Sequence, residues 1–141
     1  MENNLPIVDR FVGYLADERH FSPYTGRCYG LDLRQFIDFI ATENGLEISM
    51  AAEKSALEAR KGDAAGRSVT ARILACDVEL IRGFLKRLSE QNYSVATMAR
   101  KIATLRSFHK WMERAGLTAS NPMTLIRSPK QPKRLPKAIT V

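Results

Sequence analysis

The chain has 141 residues, 45% of them apolar and 26% charged, with a formal net charge of +7. That balance suits one domain with a core of its own and excludes wholesale disorder. No window reaches the roughly twenty uninterrupted apolar residues of a membrane span, and the opening MENNLPIVDRF has no apolar signal core, so the expected location is cytoplasmic. The charge is uneven. Residues 1–75 hold nine Lys/Arg against eleven Asp/Glu and residues 76–141 hold thirteen against four; from Ser94 onward Glu113 is the one acid among ten bases. Such a field draws a polyanion through counterion release, and an anionic membrane surface by the same charge.

Helical periodicity appears first over Leu5 to Arg19, where Val8, Phe11, Val12 and Leu15 form one apolar stripe. A second helix is predicted from Ser22, an N-cap followed by Pro23 at the first helical position, where a missing N–H costs nothing. Its core line is Tyr29, Leu33, Phe36 and Ile40, and Asn44-Gly45 should stop it. From Leu46 to Thr70 the pattern loosens. The run AAEKSALEARKGDAAGRS has Leu57 as its one large apolar residue, which predicts a marginal short helix, then a mobile loop, together the least protected part of the chain.

A third helix is expected over Asp77 to Gln91, burying Leu80, Ile81, Phe84, Leu85 and Leu88. The fourth should run from a Ser94 cap to Ala115, with Gly116 as its left-handed stop and Met98, Ile102, Leu105, Phe108 and Met112 as its core stripe. A short fifth follows Asn121-Pro122, carrying Met123, Leu125 and Ile126. No alternating strand pattern competes. The fold class is therefore all-α, a compact four- to five-helix bundle over residues 1–127 with a loose insertion at about 46–70. Residues 128–141 read as an extended, basic, proline-rich linker.

Signatures of nucleotide, metal and acyl chemistry are missing from the sequence. His20 and His109 have no nucleophile placed beside them by any motif, and Cys28 and Cys76 lack metal-ligand spacing and read as reduced packing residues. No catalytic residue, metal or cofactor is assigned. What remains concerns phosphate. The N-terminus of the second helix, with the hydroxyls of Ser22 and Thr25 and the charge of Arg27, suits an anion, although a plain cap beside a solvated arginine uses the same residues. On the fourth helix Arg100, Thr104 and Ser107 fall opposite the core stripe, with Ala96 above and Lys110 to the side. That face could enter a major groove or merely be wet. Lys101, at the stripe's edge, should snorkel, and Trp111 should be covered by the fifth helix.

These residues resemble a known family. FSPYTGRCYGLDLRQFIDFI is similar to the opening motif of the core-binding domain of tyrosine recombinases, the phage-integrase and Xer-type enzymes, matched at Ser22, Thr25, Tyr29, Leu33 and Phe36. The second match is SVATMARKIATLRSFHKWMERAGLTASNPMTLIRSPKQPKRLPKAITV, at Thr97, Leu105, Arg106, Ser107, Phe108, Gly116, Asn121, Pro122, Leu135, Pro136 and Lys137. The resemblance implies a SAM-like helical domain forming half of a clamp on a recombination half-site. It also implies a catalytic domain after the Leu-Pro-Lys linker, carrying the Arg, Lys, His and nucleophilic Tyr, with no metal or nucleotide required. Tyr14, Tyr24, Tyr29 and Tyr93 match no nucleophile motif, so this chain alone is expected not to be an enzyme. Family contacts carry over to Thr25, Gly26, Arg27, Cys28, Ala96, Arg100 and Thr104, of which Gly26, Cys28 and Ala96 have little to donate. The expected DNA-binding set is Ser22, Thr25, Arg27, Thr97, Arg100, Thr104, Arg106, Ser107 and Lys110, with Lys130, Lys133, Arg134 and Lys137 in the linker. Partners would be double-stranded DNA and further recombinase protomers, with no membrane. A stand-alone helical DNA-binding regulator and a helical protein-interaction module with a basic tail are the alternatives.

Overall fold

Six α-helices and one 3-10 turn make up residues 4–127, the part described by this computed structural model, and no strand occurs among them. α1 (Pro6–Asp17) begins on a proline and buries Ile7, Val8, Phe11 and Leu15. α2 (Pro23–Asn44) starts where the cap chemistry requires: Ser22 Oγ accepts the Thr25 N–H at 3.1 Å, and Gly45 ends the helix at φ +60°. Gly26 lets the first two helices close up, since a Cβ there would stand 3.3 Å from Val12 Cγ1. Leu33, Phe36, Ile37 and Ile40 form the buried edge of α2.

The segment from Leu46 to Thr70 holds the one short helix expected of it and runs into the start of another. α3 (Met50–Ala59) and α4 (Val69–Leu74) face each other through Glu53, which is 1% exposed. Its Oε2 accepts the Val69 N–H at 2.9 Å, and its Oε1 accepts the Thr70 N–H at 2.7 Å and the Thr70 hydroxyl at 2.6 Å. Glu53 therefore caps α4 from another helix, where the free amides and the positive dipole end stabilise a carboxylate. Leu57 of α3 and Val69, Ile73 and Leu74 of α4 enter the core. The turn between them is anchored as well. Arg72 donates to the carbonyls of Gly66 and Ala64 and to Asn44 Oδ1, and a Cβ on Gly62 would meet the backbone of Leu74 and Ala75 at 2.6 Å. This anchoring was not legible in the sequence because the ordering groups are a carboxylate, backbone amides and a glycine, none of which adds to a count of large apolar residues.

α5 (Val78–Ser89), capped by Asp77 Oδ1 on the Leu80 N–H, buries Ile81, Phe84 and Leu88. α6 (Val95–Arg114) runs from the Ser94 cap toward Gly116, at φ +75°. A 3-10 turn (Pro122–Leu125) stands where a short fifth helix was expected. It buries Met123, and Ile126 after it, while Leu125 stays exposed. Every helix feeds one core. Trp111 lies against Phe11 and Tyr14 of α1, with ring centroids 5.4 and 6.3 Å away, and stacks on Phe108. Its cover is thus the first helix, where the last turn had been expected. Among the described residues no helix is long and apolar enough to cross a membrane. The linker, with Lys130, Lys133, Arg134 and Lys137, lies outside them.

Candidate nucleic-acid interface

On α6, Ala96, Arg100, Ala103, Ser107, Lys110 and Arg114 recur at steps of four, three, four, three and four, which places them on one face of the helix. Ser107 is half-buried and the other five are exposed. Three cations and no acid occupy this stripe, and the small side chains between them leave the helix backbone approachable. Arg19, Arg106, Ser107, Lys110 and Arg114 also line a groove of about 350 Å³ beside Phe11, Tyr14 and Trp111, so the cationic surface extends from α6 to the end of α1. Arg114 was missed in the sequence because the stripe was followed only as far as Lys110.

Two expected contacts have other employment. Thr104 is 1% exposed, and its hydroxyl donates to Asp32 Oδ2 at 2.8 Å. α6 is covered by α2 on one flank as well as by the core behind it, so it buries eight residues, Thr104 included, over a wider arc than one apolar stripe indicates. Arg106 is half-buried and donates to the carbonyls of Met123 and Ile126, fastening the end of the described chain to α6. Nor does Lys101 snorkel. It is buried, with Nζ 3.0 Å from Asp32 Oδ1, 2.8 Å from Gln35 Oε1 and 5.1 Å from the Tyr93 ring centroid.

The second cluster is the start of α2. Ser22 and Arg27 are exposed and Thr25 is half-buried. Ser22 Oγ donates to Thr25 Oγ1 at 3.0 Å as well as capping the helix, which leaves the threonine O–H to donate outward. Ser94 and Thr97 repeat the arrangement at the start of α6, again with 3.0 Å between the hydroxyls. Both helices thus present a Ser-x-x-Thr entrance at their positive dipole ends.

What sequence reasoning missed is the node joining these helices. Asp32, 5% exposed, uses both carboxylate oxygens. Oδ1 accepts Arg100 Nη2 at 3.1 Å and Lys101 Nζ at 3.0 Å, and Oδ2 accepts Thr104. Gln35 Nε2 in turn donates to the Tyr93 hydroxyl at 2.9 Å. Two other groups are set chiefly by burial. His109 is pushed down to about 4 because burial disfavours its charged form. Its Nδ1–H donates to the Leu105 carbonyl at 2.9 Å, which leaves Nε2 buried without a partner. Cys76 is pushed up to about 12, first by burial and then by neighbouring Asp77, so its thiol stays protonated at neutral pH.

Residues 63–116, from the turn before α4 to the end of α6, match the family model described as phage integrase, N-terminal SAM-like domain. The chain is 35% identical over 129 residues to the tyrosine recombinase XerC of Oceanobacillus iheyensis, covering 92% of this chain and 34% of that protein. It is 32% identical over 136 residues to the Myxococcus xanthus protein of the same name, covering 96% and 37%. Against the XerC of Escherichia coli K12 identity is 31% over 134 residues, covering 95% and 37%. The chain thus spans about a third of the length of the curated relatives it matches. No solved structure matches it significantly.

Proposed function

We propose, for a chain that belongs to the Xer-type tyrosine recombinases as their N-terminal SAM-like domain, that it grips double-stranded DNA and takes no part in breaking or joining strands. Its relatives are named for recombination, and a chain spanning about a third of them is expected to supply recognition of one face of a half-site, with other protomers beside it in the cytoplasm. The observation that carries the reading is the acid-free stripe of α6, in which Arg100, Lys110 and Arg114 alternate with Ala96, Ala103 and Ser107. An α-helix fits the major groove, where an arginine fork can address guanine and the outer cations can neutralise phosphate. The Ser22/Thr25 and Ser94/Thr97 entrances add amides and hydroxyls suited to phosphate oxygens. Gripping along the stripe is separate from reading at Arg100, and the linker cations follow the backbone.

Titration of labelled duplexes over a range of salt tests this. Binding should weaken steeply with salt. Arg100→Ala should cost about 1–3 kcal/mol on a selected site and much less on random duplex. Lys133→Ala with Arg134→Ala should lower both affinities alike and flatten the log–log salt slope by roughly one per lost phosphate contact. A chain that ignores duplex DNA while binding acidic peptides would overturn the reading, and a covalent adduct on a nicked suicide duplex would overturn the division between binding and chemistry.

A further inference from the structure

Resting on that reading, we infer that Asp32 is a specificity-determining positioning residue: a buried carboxylate on α2 that fixes the orientation in which Arg100 of α6 presents its guanidinium to DNA. Three observations converge. Asp32 meets two cations with one charge, because Arg100 and Lys101 share its Oδ1. Lys101 is the captive partner, enclosed by Asp32, Gln35 and the Tyr93 ring. Arg100 is the free one, with a side chain 53% exposed and a single nitrogen, Nη2, tied at 3.1 Å. A planar fork held at one corner has lost most of its rotation and keeps its remaining N–H groups for an incoming acceptor. Thr104 completes the fixture: its hydroxyl holds the other carboxylate oxygen, so the plane of the carboxylate is set as well as its position.

An arginine that must read a base edge needs a defined direction, whereas one that only grips phosphate works better unpaired. A neighbouring carboxylate lowers the attraction for any polyanion, since it cancels one positive charge beside the groove. The arrangement therefore gives up general affinity and gains directional readout. Asp32 touches no DNA in this scheme; it acts through Arg100.

The test compares the wild-type chain with Asp32→Asn on a duplex pool enriched by the wild type and on the unselected pool, each at several salt concentrations. Asparagine keeps the shape and removes the charge. It should raise affinity for the unselected pool, steepen the log–log salt slope by about one, and cut discrimination between the pools about tenfold. In an Arg100→Ala background the same change should leave discrimination where Arg100→Ala put it. Parallel weakening on both pools with an unchanged slope, equal in the two backgrounds, would reduce Asp32 to a structural role and overturn the inference. Should Asp32→Asn lose its helical circular dichroism, Arg100→Lys decides. It keeps a charge for Asp32 but no fork, so discrimination must fall, and wild-type discrimination in that variant would overturn the inference. A wild type that binds both pools equally also overturns it while leaving DNA binding intact, whereas a wild type that binds neither overturns the reading on which it rests.

Discussion

Glu53 and Asp32 are both carboxylates taken out of water, yet the two sites settle them by different means. At Glu53 the partners are two backbone amides and a hydroxyl at the start of α4. Around Asp32 there is a surplus of cation, with an arginine that still faces solvent. Amides cannot leave, so the Glu53 arrangement has one state and builds the fold. Arg100 is held at one corner and turns its other N–H groups to solvent, so the Asp32 arrangement has an open side at the surface, as the proposed recognition face would need. The same residue chemistry serves architecture where its partners are backbone and, in the role proposed above, recognition where one partner is an exposed side chain.

That contrast can be broken by measurement, most forcefully at Glu53. Glu53→Ala strands two buried amides and a hydroxyl, and should cost about 3–4 kcal/mol in urea unfolding. Asp32→Ala should cost less, about 2 kcal/mol, because Arg100 already has water and the buried Lys101 ammonium keeps Gln35 Oε1 and the Tyr93 ring. Equal losses would erase the distinction between the two carboxylates. His109 is a third case, a buried group whose Nε2 has no partner at all. Its native pKa, near 4, lies below the unfolded value near 6.5. The unfolded chain therefore takes up a proton first as pH falls through that window, and stability declines with it. The loss should reach about 3 kcal/mol at pH 4 and should be absent from the difference curve of His109→Phe. The smallest effect belongs to the helix entrances: Ser94→Ala should cost about 1 kcal/mol, because water reaches the Thr97 amide that it leaves behind.

Local chemistry made much of this fold readable. Ser22-Pro23, Gly45, Ser94 and Gly116 mark the ends of α2 and α6 where the sequence places them, since caps and left-handed stops depend on residues a few positions apart. α4 and its link to α3 were obscured for the opposite reason. Their order comes from Glu53 reaching across sixteen and seventeen positions to two amides, and a charged residue at a core position is read as surface. At the candidate site the exposed cations Arg100 and Lys110 were legible from periodicity. Thr104 was misplaced because the second cover of α6, by α2, is tertiary. Asp32 was invisible because its partners stand 68 to 72 positions away.

Those separations also bear on the order in which the chain assembles. Closing a flexible loop costs about 0.6 kcal/mol more for each doubling of its length, so the contacts of Asp32, spanning roughly four times the chain that Glu53 closes, begin with an added entropic cost of about 1.2 kcal/mol. Contacts of long sequence separation tend to form late. The α3–α4 unit can therefore close while α6 is still unattached, and the surface that carries Arg100 comes into being only when α6 meets α2 across some seventy positions of chain.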